Sequence, residues 1–313
     1  SHVDMTDDGS IDSIITAQGE KLSADFYIDC TGKDSLLLGK AMGVSYNDWS
    51  SLIKVDRCLI AASGFPEEKV NYSVTSVKPT SAGIFRQIPL RNGRSVELFY
   101  SSLSLTDEQA LQELKLFADI KSDDVSPVLQ LTPGWRSQQW KKNCLAIGDA
   151  FSNSGVDFYS SFSQVADGVI RFLDYFPSNK TNQPMIDEYN RISLNELDKI
   201  RDYHLLHFFL LRKDHPLVLH NSDFLPESFS YKLKLFKASG RLPWRDDEVI
   251  NINQWISLLL GMEYWPDRYD PSLDSVPIDV LTNAVAKLDA AINELVLLMP
   301  SQKSYLSRLI NNS

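Results

Sequence analysis

Two short stretches carry residue types suited to holding a cofactor. Residues 24–32 read Ala-Asp-Phe-Tyr-Ile-Asp-Cys-Thr-Gly, an apolar strand running into Thr31-Gly32. Residues 145–150 read Leu-Ala-Ile-Gly-Asp-Ala, a second apolar strand ending in Gly148-Asp149 just before a helix. A glycine at a strand end lets backbone approach a ligand closely, and a neighbouring carboxylate accepts hydrogen bonds from ligand hydroxyls. Further on, Ser160 or Ser161 suits the N-cap of a helix over residues 162–176. Free amides at the positive end of a helix dipole attract an anion, although a capped helix without a ligand reads equally well. The dinucleotide fingerprint Gly-x-Gly-x-x-Gly occurs nowhere in these 313 residues.

The elements around these residues are legible in outline. Asp7-Asp8-Gly9-Ser10 and Gln18-Gly19-Glu20 separate short apolar stretches, as in a β-meander. Many FAD domains close their first half with such a meander followed by a strand of the residue 24–32 kind. Ser35–Met42 reads as a short helix with Gly43 at its C-terminal cap. Runs at 57–62, 72–77, 84–90 and 95–100 suggest an antiparallel sheet. Thr106 begins a helix with early acids, and strand-like Val128–Leu131 follows. Almost everything after Ser160 has helical period.

Composition narrows the function. A net charge of −10 argues against a nucleic-acid binder or a protein that docks on anionic membranes. The basic stretch Lys232, Lys234, Lys237 and Arg241 reads as a solvated helix face. No apolar run approaches the roughly 20 residues that cross a bilayer, and no signal pattern opens the chain. The cysteines Cys30, Cys58 and Cys144 are widely spaced, which fits reduced thiols in a cytoplasm and gives no metal site.

Two helical patterns stand out. Ile186, Tyr189, Ser193, Leu197, Ile200, His204, His207 and Leu211 share one face. His204 and His207 could in principle share a metal, but no third ligand is near in sequence, so a partly buried face is expected. Ile278, Leu281, Val285, Leu288, Ile292, Leu295 and Met299 alternate spacings of three and four, the form of a coiled-coil seam. Docking along the chain's own helical region is the first expectation, because so short a seam is marginal alone. A homodimer through residues 278–299 is the second.

Laid end to end, these pieces resemble the flavin-dependent halogenases of the tryptophan halogenase family. The resemblance rests on residues 24–32, Asp48-Trp49, Asp56-Arg57, Ile88-Pro89-Leu90 and residues 145–148. It continues in Tyr189-Asn190, Ile200-Arg201-Asp202-Tyr203-His204, His207, Arg212 with Asp214, and Gly261. Pro266, Tyr269-Asp270-Pro271, Met299-Pro300 and Tyr305-Leu306 complete it. It spans nearly the whole chain but only the family's rear portion.

The resemblance implies reduced FAD supplied by a separate flavin reductase, oxidation of chloride or bromide to hypohalous acid, and transfer to a small electron-rich aromatic substrate. It assigns Thr31, Gly32, Gly148, Asp149 and Phe162 to the cofactor, with Phe162 against the isoalloxazine. The backbone amides of Ser160 and Ser161 would hold halide. The family's catalytic lysine lies in the portion not matched, so no lysine here takes that role. The family's Trp-x-Trp-x-Ile-Pro motif appears as residues 84–89, with Ile84 and Arg86 in place of both tryptophans. Phe158 stands where tryptophan-specific members carry an assisting glutamate, as in phenol- and pyrrole-type halogenases. Asp157 is the only acid nearby that could stand in. Trp255-Ile256 replaces a tyrosine pair that touches the substrate amino acid, which makes free tryptophan a poor candidate. Trp244, Tyr264 and Trp265 could line an aromatic pocket, though buried core is the commoner fate of such residues.

The expected fold is α+β of the flavoprotein type. It comprises a partial FAD-binding domain (1–48), an antiparallel substrate-side sheet (49–142), a return to the FAD domain (143–177) and a helical C-terminal region (178–313). The expected protein is a fragment of a halogenase-like oxidoreductase, inactive alone, with no nucleic-acid or membrane partner. One rival is an FAD-dependent hydroxylase or reductase of the same superfold. Another is a non-catalytic binding module that uses the heptad helix for a partner.

Overall fold

The computed structural model describes residues 2–64, 74–90, 93–120, 125–159, 161–177, 182–220, 224–243 and 246–311. The chain opens with an antiparallel meander of β1 (His2–Met5), β2 (Ile11–Ile15) and β3 (Lys21–Ser23). Then come β4 (Tyr27–Asp29), a π-helical turn (Leu36–Ala41) and β5 (Tyr46–Asp48). Next are β6 (Arg57–Ser63), β7 (Ser76–Pro79), β8 (Gly83–Leu90), β9 (Gly93–Tyr100), helix α1 (Asp107–Ala118) and β10 (Leu129–Gln130). Short strands β11 (Gly134–Arg136), β12 (Trp140–Lys141), β13 (Cys144–Ala146) and β14 (Ser152–Asn153) precede the helices. These are α2 (Ser161–Asp174), α3 (Gln183–Phe209), α4 (Glu227–Ser239), α5 (Ile252–Gly261), α6 (Ile278–Leu298) and α7 (Gln302–Asn311).

The five-stranded sheet runs β10-β6-β9-β8-β7, antiparallel throughout. Its period-2 pattern divides its side chains between two cores. Leu59, Ala61, Phe85, Val96, Leu98 and Tyr100 meet Ala110, Leu114 and Ala118 of α1, spaced four apart on one helical face. Cys58, Ile84 and Phe99 point the other way, into a core shared with α3, α4 and α5. Helix α1 starts where expected. Thr106 accepts a hydrogen bond from the Gln109 amide, and the Gln109 side chain accepts one from the Thr106 amide, which is a capping box.

Strand β13 pairs parallel with β4 and antiparallel with β12. Helix α3 is tied to this sheet through buried Asn190. Its side-chain oxygen accepts from the amides of Gln139 and Trp140, and its Nδ2 donates to the Trp140 carbonyl. Helix α2 closes over the same sheet, with Phe172 against Phe26 and Trp140. The α+β class is the one expected.

Several local expectations need correction. The Ser35–Met42 helix forms as a π-helix over Leu36–Ala41, with bonds from the Lys40 amide to Ser35 and from the Met42 amide to Leu37, and buried Asp29 takes its free amides of Leu37 and Leu38 at 3.0 and 2.8 Å. The expected strand at 72–77 shifts to β7, and residues 72 and 73 lie outside the described residues. The basic face on α4 is not uniformly solvated. Lys232 is buried, paired with half-buried Glu248 and set 4.9 Å from the Trp255 ring centroid. Residues 278–298 form the expected helix, but it does not pack along the helical region, and none of its residues is buried. Periodicity specifies that a face is apolar, not which element covers it. Among the described residues, no helix is long and apolar enough to cross a membrane.

Candidate cofactor and anion site

The parallel register Tyr27↔Cys144, Ile28↔Leu145, Asp29↔Ala146 carries the two glycine turns to the same end of the sheet. Gly32 and Gly148 both adopt left-handed backbone, with φ of 70° and 65°. A side chain at Gly32 would meet nothing within 4 Å, and one at Gly148 only the Val165 methyl at 3.8 Å. The backbone on this side is therefore open to close approach. The carboxyl ends of parallel strands are where open α/β sheets take ligands. Asp149 faces a cleft of about 640 Å³ shared with Lys33, Asp34, Tyr46, Arg136 and Asn153.

The turn after β4 is organised by a residue that sequence reasoning passed over. The Asp29 carboxylate accepts hydrogen bonds from the Thr31 amide and hydroxyl, the Ser35 hydroxyl, and the Leu37 and Leu38 amides. Burial alone would raise its pKa, but these donors outweigh it and hold the group below the usual carboxylate range. The Thr31 hydroxyl, which also accepts from the Leu36 amide at 2.7 Å, is spent inside this turn. Gly32 is left as the open member of the Thr31-Gly32 pair. The signal was present as an aspartate two residues before Thr-Gly.

The second cluster sits at the start of α2. One cavity is lined by Gly148, Asp149 and Ser161, with Gln164, Arg171 and Glu196. The second glycine turn and Ser161, one of the two candidate anion residues, therefore share a cavity. Ser160 lies outside the described residues. The Ser161 amide is not free: Asp157 Oδ1 accepts from it at 3.0 Å, and Oδ2 accepts from its hydroxyl at 3.1 Å. Asp157 thus takes the first amide of α2, and the expected cap at Ser160 falls outside the described residues. Burial raises the Asp157 pKa, and the Ser161 amide and Arg86 oppose that only in part. Phe162 stands at the exposed start of α2.

Arg86, in place of a family tryptophan, fixes the loop that bears Asp157. Its Nη1 donates to the Asp157 carbonyl at 2.6 Å, while Nε and Nη2 hold Glu97 at 2.6 Å. Arg86 and Glu97 face each other directly across β8 and β9. Phe158 stacks flat on His207 at 3.9 Å, with His204 and Phe208 at its edges. His204 Nε2 accepts from the Tyr159 amide. His207 Nδ1 donates to the Tyr203 carbonyl. Burial pulls the His204 pKa down to about 3 and that of His207 to about 4, so both rings are neutral near pH 7. Trp255 is core, Tyr264 packs at the core edge and Trp265 is exposed; Trp244, the third residue of the expected aromatic pocket, lies outside the described residues.

The chain is similar to known proteins over nearly its whole length. The family model described as tryptophan halogenase matches residues 1–278. Tryptophan 7-halogenase KtzQ of Kutzneria sp. (strain 744) is 26% identical over 337 residues, covering 99% of this chain and 62% of the relative. Tryptophan 7-halogenase RebH of Lentzea aerocolonigenes is 24% identical, over 88% of this chain and 56% of its own length. The structure of BrvH, a flavin-dependent halogenase from Brevundimonas sp. BAL3, superposes with a TM-score of 0.91 at 28% identity, covering 98% of this chain and 63% of BrvH. The chain thus spans about six-tenths of the length of the proteins it matches.

Proposed function

The chain belongs to the tryptophan halogenase family, and from that premise we propose that it supplies the riboflavin-side wall and the halide site of a flavin-dependent halogenase. The observation that carries this reading is the shared cavity: Gly148 and Asp149, at the open end of the parallel strands, line the same space as Ser161. When bound, reduced flavin supplies the electrons that turn dioxygen into an oxidant for chloride or bromide. Gly32 and Gly148 admit the cofactor's backbone-facing edge, and Asp149 accepts from its ribityl hydroxyls. Phe162 offers an apolar surface to the ring. Ser160 and Ser161 hold the halide through their amides, with the α2 dipole behind them. That step requires Asp157 to swing off the Ser161 amide, toward the Arg86 guanidinium 4.0 Å from its carboxylate. A flavin reductase is the partner that delivers reduced cofactor.

The substrate is a small electron-rich aromatic of indole, phenol or pyrrole type, without a free amino-acid group. Phe158 carries no acid to assist proton loss from the ring, and an ionisable phenol or reactive heteroarene needs that least. Trp255, buried in the core, offers no substitute for a pair of tyrosine hydroxyls. The test is a panel on the natural protein with reductase, FAD and bromide: brominated indole or phenol is expected, and free tryptophan turned over fastest would refute the assignment. One observation favours a second reading, an FAD-dependent hydroxylase: Asp157 already occupies the Ser161 amide. Hydroxylated product independent of bromide in the same panel would select it.

A further inference from the structure

Arg86 stands between two carboxylates, those of Glu97 and Asp157. Its Nε and Nη2 both reach Glu97 Oε2 at 2.6 Å, directly across the β8–β9 pair. The two side chains are 13% and 8% exposed, so solvent and salt screen the pair weakly. The guanidinium also lies over the Phe99 ring, 5.0 Å from its centroid, a further contact that holds it in place. The remaining nitrogen, Nη1, donates to the Asp157 carbonyl at 2.6 Å and stands 4.0 Å from Asp157 Oδ2. Nη1 carries two protons, and the carbonyl takes one.

The backbone around Asp157 is fixed from several sides. The Gly155 amide donates to Asn153 Oδ1, the Phe158 ring stacks on His207, and the Tyr159 amide donates to His204. The Asp157 side chain is the part free to turn. It accepts from the Ser161 amide and hydroxyl. Rotation about χ1 moves a carboxylate oxygen by more than the roughly 1 Å by which 4.0 Å exceeds a hydrogen bond. One backbone position therefore serves two seats for the carboxylate, Ser161 and Arg86. Glu97 competes for the second seat, because it already neutralises the guanidinium.

We propose that Arg86 and Glu97 together set how often Asp157 leaves the Ser161 amide, and so act as positioning residues for the anion site. Arg86 draws the carboxylate away, and Glu97 weakens that pull. Taking the anion to be halide rests on the halogenase reading of the site; the partition of Asp157 between its two seats does not. An anion binds the Ser161 amide only in the fraction of molecules in which that amide is free, so its apparent affinity scales with that fraction.

Exchange of the Ser161 amide in the ¹⁵N-serine-labelled chain, followed by NMR without halide, reads this fraction. Bromide titration of the same resonance reads its consequence. Glu97→Gln frees the guanidinium for Asp157. Ser161 exchange should then rise roughly fivefold to tenfold, and the half-saturating bromide concentration should fall by a similar factor. Arg86→Met combined with Glu97→Met replaces the pair by apolar side chains, a change that buried ion pairs commonly tolerate. Asp157 then has only the Ser161 seat, so exchange should slow and bromide should bind roughly tenfold more weakly. Adding Asp157→Ala should restore the parental affinity or exceed it, which an arginine that merely pins the loop would not allow. Unchanged Ser161 exchange in Glu97→Gln would overturn the proposal, as would a weakened bromide affinity that Asp157→Ala leaves weak. Ser161 exchange that responds as expected, while bromide shifts the resonance in no variant, would uphold the partition and sink the halide reading instead.

Discussion

Asp157 makes two competing demands on the same few ångströms. It caps α2 through the Ser161 amide and hydroxyl, and it blocks the amide assigned to halide. Its variants separate these roles. Asp157→Ala should cost about 1 kcal/mol of stability as a lost cap. If the carboxylate competes with halide, the same change should lower the half-saturating bromide concentration up to roughly tenfold. A fall in kcat with unchanged bromide dependence would instead make Asp157 a proton acceptor. Ser161→Pro keeps a residue tolerated in the first helical turn but removes the donor. In the natural protein used for the substrate panel it should abolish bromide-dependent product and spare flavin binding; undiminished bromination would remove Ser161 from the halide site. His204 and His207 give a pH test. Their pKa values fall from 6.5 when free to about 3 and about 4 when folded, so protonation favours the unfolded chain. Their contribution to stability is whole above about pH 6.5 and is lost as pH drops toward 4, by several kcal/mol as an order of magnitude. Urea unfolding at pH 7 and pH 4.5 measures this loss, and His207→Phe should shrink it. An equal acid loss in that variant would show that other groups carry it.

At the scale of elements, the exposure of α6 reverses a natural inference. A seam of large side chains suggests that a charge within it would unfold the protein. Here Leu288 is 63% exposed, so Leu288→Asp should shift stability by less than about 0.5 kcal/mol. Thr106→Ala, at the α1 capping box, should cost about 1 kcal/mol. Thermal melts of the two variants side by side check the ordering; a larger loss at Leu288 would mean that α6 packs on the chain. The same contrast shows what a sequence can carry. Local rules placed β6, β8, β9 and the start of α1 almost to the residue, because alternation and capping are properties of neighbouring positions. The two glycine turns were legible for the same reason. The hold of Asp29 on its turn, Asp157 on the Ser161 amide, and Arg86 on Glu97 and the Asp157 carbonyl were not. Each depends on where a side chain points after several elements have packed, and no spacing rule encodes that.

At the scale of the molecule, the open glycine turns and the net charge of −10 pull in opposite directions for a dianionic cofactor. The turns serve the ring-and-ribityl side, where the contacts are backbone approach and neutral hydroxyls. A pyrophosphate requires something else: amides at a helix N-terminus, ordinarily reached through a glycine-rich fingerprint that these residues do not contain. The cations beside Asp149 do not replace it. Arg136 is committed to the carbonyls of Ala150 and Val44, and Lys33 lines the cleft next to the acid Asp34. The 313-residue chain should therefore fail to hold FAD through a desalting column, although riboflavin-side contacts give weak, saturable binding at high concentration. Absorbance of the desalted protein near the flavin bands checks the first half, and fluorescence quenching of added riboflavin checks the second. Stoichiometric FAD after desalting would mean that the pyrophosphate finds its donors elsewhere on this surface, and the assignment of the glycine turns to the riboflavin side alone would have to be given up.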